Sequence, residues 1–359
     1  MKILFVTYHL ESTSSARFRS YFPAKSLIQI NAEARVKLIY FLSKSDINWA
    51  DIVIFQRIPQ AVWYFNKLHL PISPLLNRIL KLFRYSASTK PTGIDLDDYI
   101  FLKGSDIETG VPDNFLPELL SQSHFVTTTT NELALELSKF NAKTTVLRNA
   151  LDFECYEKPK VSSYTKEIVR TIQSWKERGF FVLGWTCGNT HRRDFELFNQ
   201  ILTQLDDSLL NRIQFLLIGS KSRESTQFSN LVTHTRLIQW RELPFILKHL
   251  DANLVILEDN LLNQCKSELK LIEAGYFGVP SICSQVGVFT DLVYKGENGL
   301  LASSPADWIA DIKRLMHEKG LRETIGRNIR KLVLENYDLK LRGKEYAELF
   351  EKHSTPPRS

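Results

Sequence analysis

Short apolar segments alternate with longer segments of helical period along most of the chain. The apolar segments are rich in Val, Ile, Leu and Phe and almost continuous, which is typical of strands covered on both faces of a parallel sheet. The first series of predicted strands comprises residues 2–7, 35–40, 51–55, 91–95 and 125–128. The second comprises residues 181–185, 213–218, 236–239, 253–257, 281–284 and 299–302. Helical segments between these strands predict βαβ units.

The periodic pattern breaks between about residues 151 and 174, where the sequence is typical of a linker. A chain of 359 residues is also too long for one ordinary α/β core. We therefore predict two Rossmann-like, doubly wound α/β domains at residues 1–160 and 161–335, then a C-terminal helix and tail at residues 336–359. Whether that helix crosses back to the first domain is left open. Such sheets bind ligands at the carboxyl ends of their strands, so we expect the active site in the cleft between the domains.

Composition and charge limit the classes of protein that fit this pattern. With 43% hydrophobic and 24% charged residues, the chain is neither disordered nor fibrous. Its four cysteines are far apart, which argues against structural zinc and suits a reducing compartment. We find no signal peptide or membrane-spanning segment and expect a cytoplasmic protein. The net charge of +6 favours an anionic partner, but no nucleic-acid-binding signature is present, so we expect no nucleic acid.

Residues 263–280 carry the most informative chemistry. Lys266, Lys270 and Glu273 recur at i, i+4 and i+7, which places them on one face of a predicted helix. The start of that helix offers free N–H groups to a diphosphate, and Glu273 can accept hydrogen bonds from a ribose diol. The alternative is a surface helix in which Lys270 pairs with Glu273.

A second basic segment follows the predicted strand at 181–185. Gly188 and Asn189 lie where the backbone can approach a ligand closely, and Arg192 and Arg193 can form paired hydrogen bonds to phosphate oxygens. The alternative is an ordinary cationic loop at the start of a helix.

Two segments of the first half carry candidate chemistry as well. Ser14 and Ser15 are small enough for a ligand to approach, and Arg17 adds positive charge beside them. The Gly-x-Gly-x-x-Gly fingerprint is absent there, which argues against an NAD-dependent dehydrogenase. Asp97 and Asp98 follow the strand at 91–95, where carboxylates serve catalysis, bind a divalent cation or make turn hydrogen bonds.

In this order and spacing, these segments resemble the family-4-type, retaining glycosyltransferases of bacterial surface-polysaccharide synthesis. Residues 287–293, 296–301, 125–133 and 146–152 contribute to the resemblance. It implies the GT-B fold, in which two Rossmann-like domains face each other across a cleft. It also implies a nucleotide-diphosphate sugar as co-substrate, a glycan or lipid-linked acceptor, transfer of a hexosyl group and no metal or other cofactor.

The resemblance assigns roles to the candidate residues. Donor binding falls to Gly188, Asn189, Arg192, Arg193, Lys266, Ser267, Lys270 and Glu273, and the N-domain side of the cleft to Ser14, Ser15 and Arg17. Asp97 or Asp98 would orient the acceptor hydroxyl or stabilise positive charge at the anomeric carbon.

The sequence departs from the family pattern at one position. The family carries a Glu-x7-Glu motif, of which Glu273 matches the second Glu, whereas Cys265 occupies the position of the first. Lys266 and Ser267 are the nearby substitutes that we consider. This departure keeps two alternatives open: a nucleotide-sugar 2-epimerase of similar fold, and a catalytically inactive nucleotide-sugar-binding subunit.

Residues 61–90 contain no Asp or Glu but five basic residues. Within this segment, residues 74–84 predict a helix that has Leu75, Ile79 and Phe83 on one apolar face. A basic, apolar helix is typical of peripheral contact with an anionic membrane, here at the inner face of the cell membrane, near a lipid-linked acceptor. The alternative is that the apolar face packs on the sheet of the first domain.

Overall fold

A computed structural model describes residues 1–102, 109–158, 161–187, 192–219 and 228–354, without the side chains of Arg192 and Ser354. The chain divides into two compact units. The first comprises Met1–Leu151, Gln264–Ser267 and Asp338–Ser359, and the second comprises Asp152–Asn263 and Glu268–Tyr337. The change of unit at Leu151 comes before the boundary at residue 160 that the sequence predicts, so residues 152–158 lie in the second unit.

The first unit contains a six-stranded parallel sheet of order β2-β1-β3-β4-β5-β6. Its strands are β1 Lys2–Thr7, β2 Glu33–Leu38, β3 Ile52–Gln56, β4 Thr92–Leu96, β5 Phe125–Thr128 and β6 Thr144–Val146. The order of the strands reverses between β1 and β3, and such a switch point opens a crevice at their carboxyl ends. The sequence prediction missed β6, which is short and only half-buried.

Seven α-helices of this unit precede residue 151 in the described part of the chain, together with a π-helix at Arg17–Tyr21 and a 3-10 helix at Ile39–Phe41. The α-helices are α1 Ser14–Ala16, α2 Phe22–Gln29, α3 Lys44–Trp49, α4 Pro59–Lys67, α5 Ile72–Thr89, α6 Phe115–Gln122 and α7 Asn131–Ser138. The apolar face of α5 is buried: Ile79 and Phe83 have no exposed surface, and the ring of Phe83 lies 5.3 Å from that of Phe55 in β3. The apolar face of α5, for which the sequence suggested contact with a membrane, therefore packs on the sheet of the first unit.

The second unit contains a six-stranded parallel sheet of order β12-β11-β10-β7-β8-β9. Its strands are β7 Phe181–Thr186, β8 Ile213–Ile218, β9 Val232–His234, β10 Ala252–Val255, β11 Ser281–Ser284 and β12 Leu300–Ala302. The predicted strand at 236–239 was wrong, because β9 ends before it and Leu237 is 83% exposed. Here the switch point lies between β7 and β10.

Helices cover both faces of the second sheet. They are α8 Phe153–Glu157, α9 Ser163–Glu177, α10 Arg192–Thr203, α11 Asp207–Leu210, α12 Leu243–Leu247, α13 Leu261–Gln264, α14 Leu269–Gly275, α15 Val288–Leu292, α16 Pro305–His317 and α17 Lys319–Asn336. The predicted linker at 151–174 thus contains α8 and the first part of α9. Close packing brings α17 against the turn after α14, where a Cβ added to Gly326 would lie 2.3 Å from the carbonyl oxygen of Gly278.

The last helix, α18 Leu339–Ser354, belongs to the first unit. It packs on α2, and its Tyr346 and Phe350 rings lie 6.2 and 6.4 Å from that of Phe5 in β1. The helix that the sequence predicts at 336–359 therefore completes the core of the first unit. Over the described ranges, every helix is too short or too polar to cross a membrane.

Candidate functional site

Asp97 and Asp98 share one arginine at the carboxyl end of the first sheet. Nη1 of Arg57 lies 3.2 Å from Oδ1 of Asp97, and its Nη2 lies 3.5 Å from Oδ2 of Asp98. The strand register explains this meeting, because β3 and β4 are paired with Gln56 opposite Asp95. The backbone N–H of Arg57 then donates to the carbonyl of Asp95, which extends the pairing by one residue. The arginine and the two aspartates consequently leave neighbouring strands side by side.

Ser15 joins the same cluster from α1, the short helix that follows β1. Its hydroxyl accepts hydrogen bonds from Nε2 of Gln56 at 2.9 Å and from Nη1 of Arg57 at 3.3 Å, and it also bonds Tyr8. Oε1 of Gln56 accepts from Thr7 at 2.8 Å, which fixes the orientation of the amide. Ser15 therefore contacts the arginine that Asp97 and Asp98 share.

The other two first-unit candidates lie differently. Ser14 begins α1 and is exposed. Arg17 is buried, and its Nη1 donates to the backbone carbonyls of Glu11 and Ser12 at 3.2 and 3.5 Å. These contacts hold the loop after β1 in place.

Burial and charge act in opposite directions on the site. Burial raises the pKa of Asp98, and so does the charge of Asp97, whereas Arg57 and Lys266 lower it. Burial also raises the pKa of Tyr8, so its phenol stays protonated and able to donate a hydrogen bond. The site thus combines two carboxylates, a shared guanidinium and a neutral phenol.

The third carboxylate of the segment, Asp95, is structural. It is buried in a forked ion pair with Arg19, with distances of 3.0 Å from Nε to Oδ1 and 2.6 Å from Nη2 to Oδ2. Thr127 donates a further hydrogen bond of 2.6 Å, and Nη1 of Arg19 donates to the carbonyl of Leu147. Since this pair is closed off in the core, Asp95 and Arg19 are not part of the candidate site. Among the described residues, no three His, Cys, Asp or Glu side chains are arranged to hold a metal ion.

The helix predicted across residues 263–276 was wrong, because the chain leaves the helical conformation between α13 and α14. Lys266 lies in that interruption and does not share a helix face with Lys270 and Glu273. The reason is tertiary hydrogen bonding within the first unit. The carbonyl of Cys265 accepts from Thr130 at 3.2 Å, and Oγ of Ser267 accepts from Asn149 at 3.0 Å. Lys266 is thereby held near enough to Asp98 to lower its pKa.

Glu273 lies on α14, half-buried in the second unit. Its Oε1 accepts a hydrogen bond of 2.7 Å from the phenol of Tyr156 on α8. Tyr156 is itself buried, and its ring centroid is 5.4 Å from that of Tyr276. Lys270, also on α14, is half-buried, and its backbone carbonyl accepts from Asn253. The carboxylate of Glu273 is therefore held in one orientation by a rigid aromatic neighbour.

The basic segment after β7 is described only in part. Gly188, Asn189 and the side chain of Arg192 lie outside the described residues. Arg193 lies in the first turn of α10, half-exposed, with its Nη1 3.7 Å from Oε2 of Glu258 in the loop after β10. β7 and β10 are paired at the switch point of the sheet, and the first turn of α10 and the loop after β10 meet there through this ion pair.

Asp194 connects the first turn of α10 to the loop after β10. It is buried, and its Oδ1 accepts hydrogen bonds of 2.8 Å from the backbone N–H of Glu258 and from Nδ2 of Asn263. Sequence reasoning considered Asp194 only as a residue near a helix cap, and it missed Arg57 and Tyr8. The available signal for Arg57 and Tyr8 was their position, since each directly follows a buried apolar strand on one side of the switch point.

Comparison with known proteins supplies two findings. Residues 182–318 match the family model described as glycosyl transferases group 1. This region contains β7 to β12, Arg193, Lys270 and Glu273. A search of curated protein sequences gave no match.

Solved structures match almost the whole chain. HepE of Anabaena, solved with UDP, with UDP-glucose and with UDP and glucose, is 13% identical, with 98% of this chain and 100% of HepE covered and a TM-score of 0.68. Sucrose-phosphate synthase of Thermosynechococcus elongatus is 12% identical, with 98% of each chain covered and a TM-score of 0.69. The catalytic domain of starch synthase IV of Arabidopsis thaliana, bound to ADP and acarbose, is 9% identical, with 99% of each chain covered and a TM-score of 0.67.

The chain has the GT-B fold. Together with the family match, this supports a GT-B glycosyltransferase.

Proposed function

We propose that this GT-B protein transfers a hexosyl group from a nucleotide-diphosphate sugar to a glycan or lipid-linked acceptor in cell-surface polysaccharide synthesis. The observation that carries the proposal is the family match over residues 182–318, because all eight predicted donor-binding residues lie inside it. HepE, a protein of the same fold, was solved with UDP-glucose, and a nucleotide sugar is the donor that we propose here.

The donor roles follow from the chemistry of each side chain. Glu273 binds the ribose diol through its carboxylate, which Tyr156 already orients. Arg192, Arg193, Lys266 and Lys270 supply positive charge to the leaving diphosphate, with Gly188, Asn189 and Ser267 beside it. We propose side chains for this role in preference to the start of α14, because the residue before that helix is the buried carboxylate of Glu268. No metal or other cofactor takes part in the proposed reaction.

The acceptor roles fall to the first unit. Asp97 or Asp98 orients the attacking hydroxyl of the acceptor or stabilises positive charge at the anomeric carbon, with Ser14, Ser15 and Arg17 nearby. Two adjacent carboxylates stabilise a positively charged, oxocarbenium-like centre without forming a bond to it. We propose that the sugar keeps its anomeric configuration.

A lipid-linked acceptor would bring the enzyme to the inner face of the cell membrane. The contact that we propose uses the end of α4 and the turn after it, where Leu68 and Leu70 are 66% and 44% exposed. Phe41 is 69% exposed, and the neighbouring Tyr40 stacks on Phe65 of α4. Lys67 of α4 and Lys81 of α5 are also exposed and suit an anionic surface. We call these five residues, Phe41, Lys67, Leu68, Leu70 and Lys81, the α4 tip.

The test is transfer by the purified full chain. Labelled UDP-, GDP- and ADP-hexoses are incubated with extracted lipid and glycan acceptors, and Asp97→Asn serves as the matched inactive variant. We expect one donor to give a labelled product and one nucleotide diphosphate to raise the melting temperature, since a ligand that binds only the folded state stabilises it.

The two alternatives give different results in the same experiment. A 2-epimerase would convert the donor when acceptor is omitted, whereas a transferase would leave its stereochemistry unchanged. An inactive subunit would show the thermal shift with one nucleotide but no product with any acceptor. Either result would contradict the proposed transfer.

A further inference from the structure

Arg57 stands at the centre of the first-unit site but has no role in the resemblance or the family match. Its side chain is 9% exposed, and those of Asp97 and Asp98 are 15% and 20% exposed. One guanidinium therefore spans both carboxylates in a largely water-excluded place. The same Nη1 reaches the hydroxyl of Ser15, so four side chains are tied together at a single group.

The backbone of Arg57 is unusual. Its φ of 44° is in the left-handed region, which residues with a Cβ seldom adopt. Such conformations persist only where the surroundings hold them, and they are frequent at functional sites. Here the N–H of Arg57 donates to Asp95, and its carbonyl accepts from Gln60 at 3.0 Å. This backbone turns the side chain away from the path of β3 and towards Asp97.

Two neighbouring carboxylates repel each other, and without a cation one of them takes up a proton near neutral pH. Asp98 faces Arg57, Lys266 and Asp97, and its charge also acts on the thiol of Cys265. Asp97 additionally interacts with the phenol of Tyr8.

The buried pair of Arg19 and Asp95 lies close enough to interact with Asp97 as well. Arg19 is itself matched by Asp95, so it adds little net charge. Among the described residues, Arg57 is the cation that pairs directly with both carboxylates of the site.

We propose that Arg57 is a positioning residue that holds the carboxylates of Asp97 and Asp98 in a fixed arrangement and acts on sugar transfer only through them. This inference rests on the proposed function of the two aspartates. A guanidinium bridges two separate carboxylates with its fixed fork of donors, which the single ammonium of a lysine does not do. Arg57→Lys therefore keeps the charge but loses the positioning, and Arg57→Met loses both at similar length.

The first experiment measures kcat and KM against pH for wild type, Arg57→Met and Arg57→Lys. Arg35→Met is the control, because Arg35 is an exposed arginine of the same unit that stacks on Trp49. We expect the acidic limb of the kcat profile to move up by about 1–3 pH units in Arg57→Met. In Arg57→Lys the limb stays in place while kcat falls by about tenfold to a hundredfold with KM for the donor little changed.

The second experiment needs no activity. Aspartate is labelled with 13C at the carboxyl carbon, and the resonances of the site are assigned from Asp97→Asn and Asp98→Asn. We expect the titration midpoint of Asp98 to rise in Arg57→Met and to stay at its wild-type value in Arg35→Met. Circular dichroism checks that each variant is folded.

Each outcome decides a separate point. An unchanged midpoint in folded Arg57→Met overturns the proposal, and so does a loss of kcat that is uniform across pH. A raised midpoint together with no transfer by the wild type would show that Arg57 acts on the carboxylates as proposed. The same result would contradict the proposed function.

Discussion

The phenol of Tyr156 donates a hydrogen bond of 2.7 Å to Oε1 of Glu273. It joins two helices, α8 and α14, that are separated in sequence by the first four strands of the second sheet. If Glu273 binds ribose, this bond fixes the orientation of the carboxylate that receives the diol. The orientation of Glu273 is then built into the fold before any nucleotide arrives, which lowers the entropy lost on binding.

We predict that Glu273→Gln weakens binding of the preferred nucleoside diphosphate by roughly 1–3 kcal/mol, the usual effect of losing a charged hydrogen-bond partner. Tyr156→Phe should weaken it less, by about 1 kcal/mol, because the carboxylate remains but is no longer oriented. Calorimetric titration measures both. Tyr164→Phe removes a phenol that accepts from the backbone of Arg236 and should leave the affinity unchanged. Equal affinities of wild type and Glu273→Gln would exclude the ribose role.

A second prediction concerns Arg192 and Arg193. Replacement of both by Ala should weaken diphosphate binding by about 1–3 kcal/mol and nucleoside binding far less, because arginines that contact phosphate make no difference to a ligand without it. The matched control is the double replacement of Arg327 and Arg330, exposed on α17, which removes the same charge from the same unit. Equal losses for the two ligands would mean that the pair acts on the fold or on overall charge.

The third prediction follows from the raised pKa of Asp98. In the unfolded chain this carboxyl titrates near its ordinary value of about 3.9. Because burial raises its pKa in the folded state, ionisation disfavours folding, and stability is lost as pH rises from that value through the folded pKa. Urea unfolding of wild type and Asp98→Asn should therefore show the wild type losing stability relative to the variant between pH 4 and neutral pH. A difference that stays constant with pH would refute this.

The fourth prediction tests the packing of α17. Gly326→Ala should destabilise the protein by about 1–3 kcal/mol or more, because the new Cβ would overlap the carbonyl oxygen of Gly278 and force the helix outward. Gly320 lies on the same helix with nothing within 4 Å of an added Cβ. Gly320→Ala should thus stabilise by about 0.5–1 kcal/mol through backbone entropy alone. Urea unfolding measures both, and effects of the same sign would disprove the packing argument.

The fifth prediction concerns the α4 tip. Wild type should float with anionic vesicles at low salt, and Leu68→Ser together with Leu70→Ser should abolish this, as should Lys67→Glu together with Lys81→Glu. Arg78 and Arg84 are poor test positions, because Arg78 donates to the carbonyls of Ile39 and Leu42 and Arg84 pairs with Glu118. Flotation of neither wild type nor variants would end the membrane proposal and leave the transfer reaction untouched.

Local pattern was enough to predict the strands that are buried on both faces. Residues 2–7, 125–128, 213–218 and 281–284 match β1, β5, β8 and β11 residue for residue, because continuous apolar sequence leaves a strand few alternatives. The strand predicted at 236–239 was wrong because it rested on Leu237 and Ile238, and Leu237 is exposed. Two apolar residues flanked by Arg236 and Gln239 are too short a pattern to predict a buried strand.

The site was harder to predict, because long-range contacts determine it. The sequence of residues 263–276 contains no signal for the break in the helix. The hydrogen bonds that replace the helical ones come from Thr130 and Asn149, which are far away in sequence. Arg57 was overlooked for a similar reason. The ion pair between Arg57 and Asp97 depends on the register in which β3 pairs with β4, and that register cannot be read from a single sequence.

The packing of α18 against β1 and α2 has a consequence for biosynthesis. Phe350 and Phe5 meet in one core although nearly the whole chain lies between them. On the ribosome, residues 152–337 contain every residue of the second unit, but part of the apolar surface of the first unit stays uncovered until α18 has been released. The sheet of the first unit is therefore made before the second unit but closes after it, and during that interval its uncovered apolar surface is prone to aggregation.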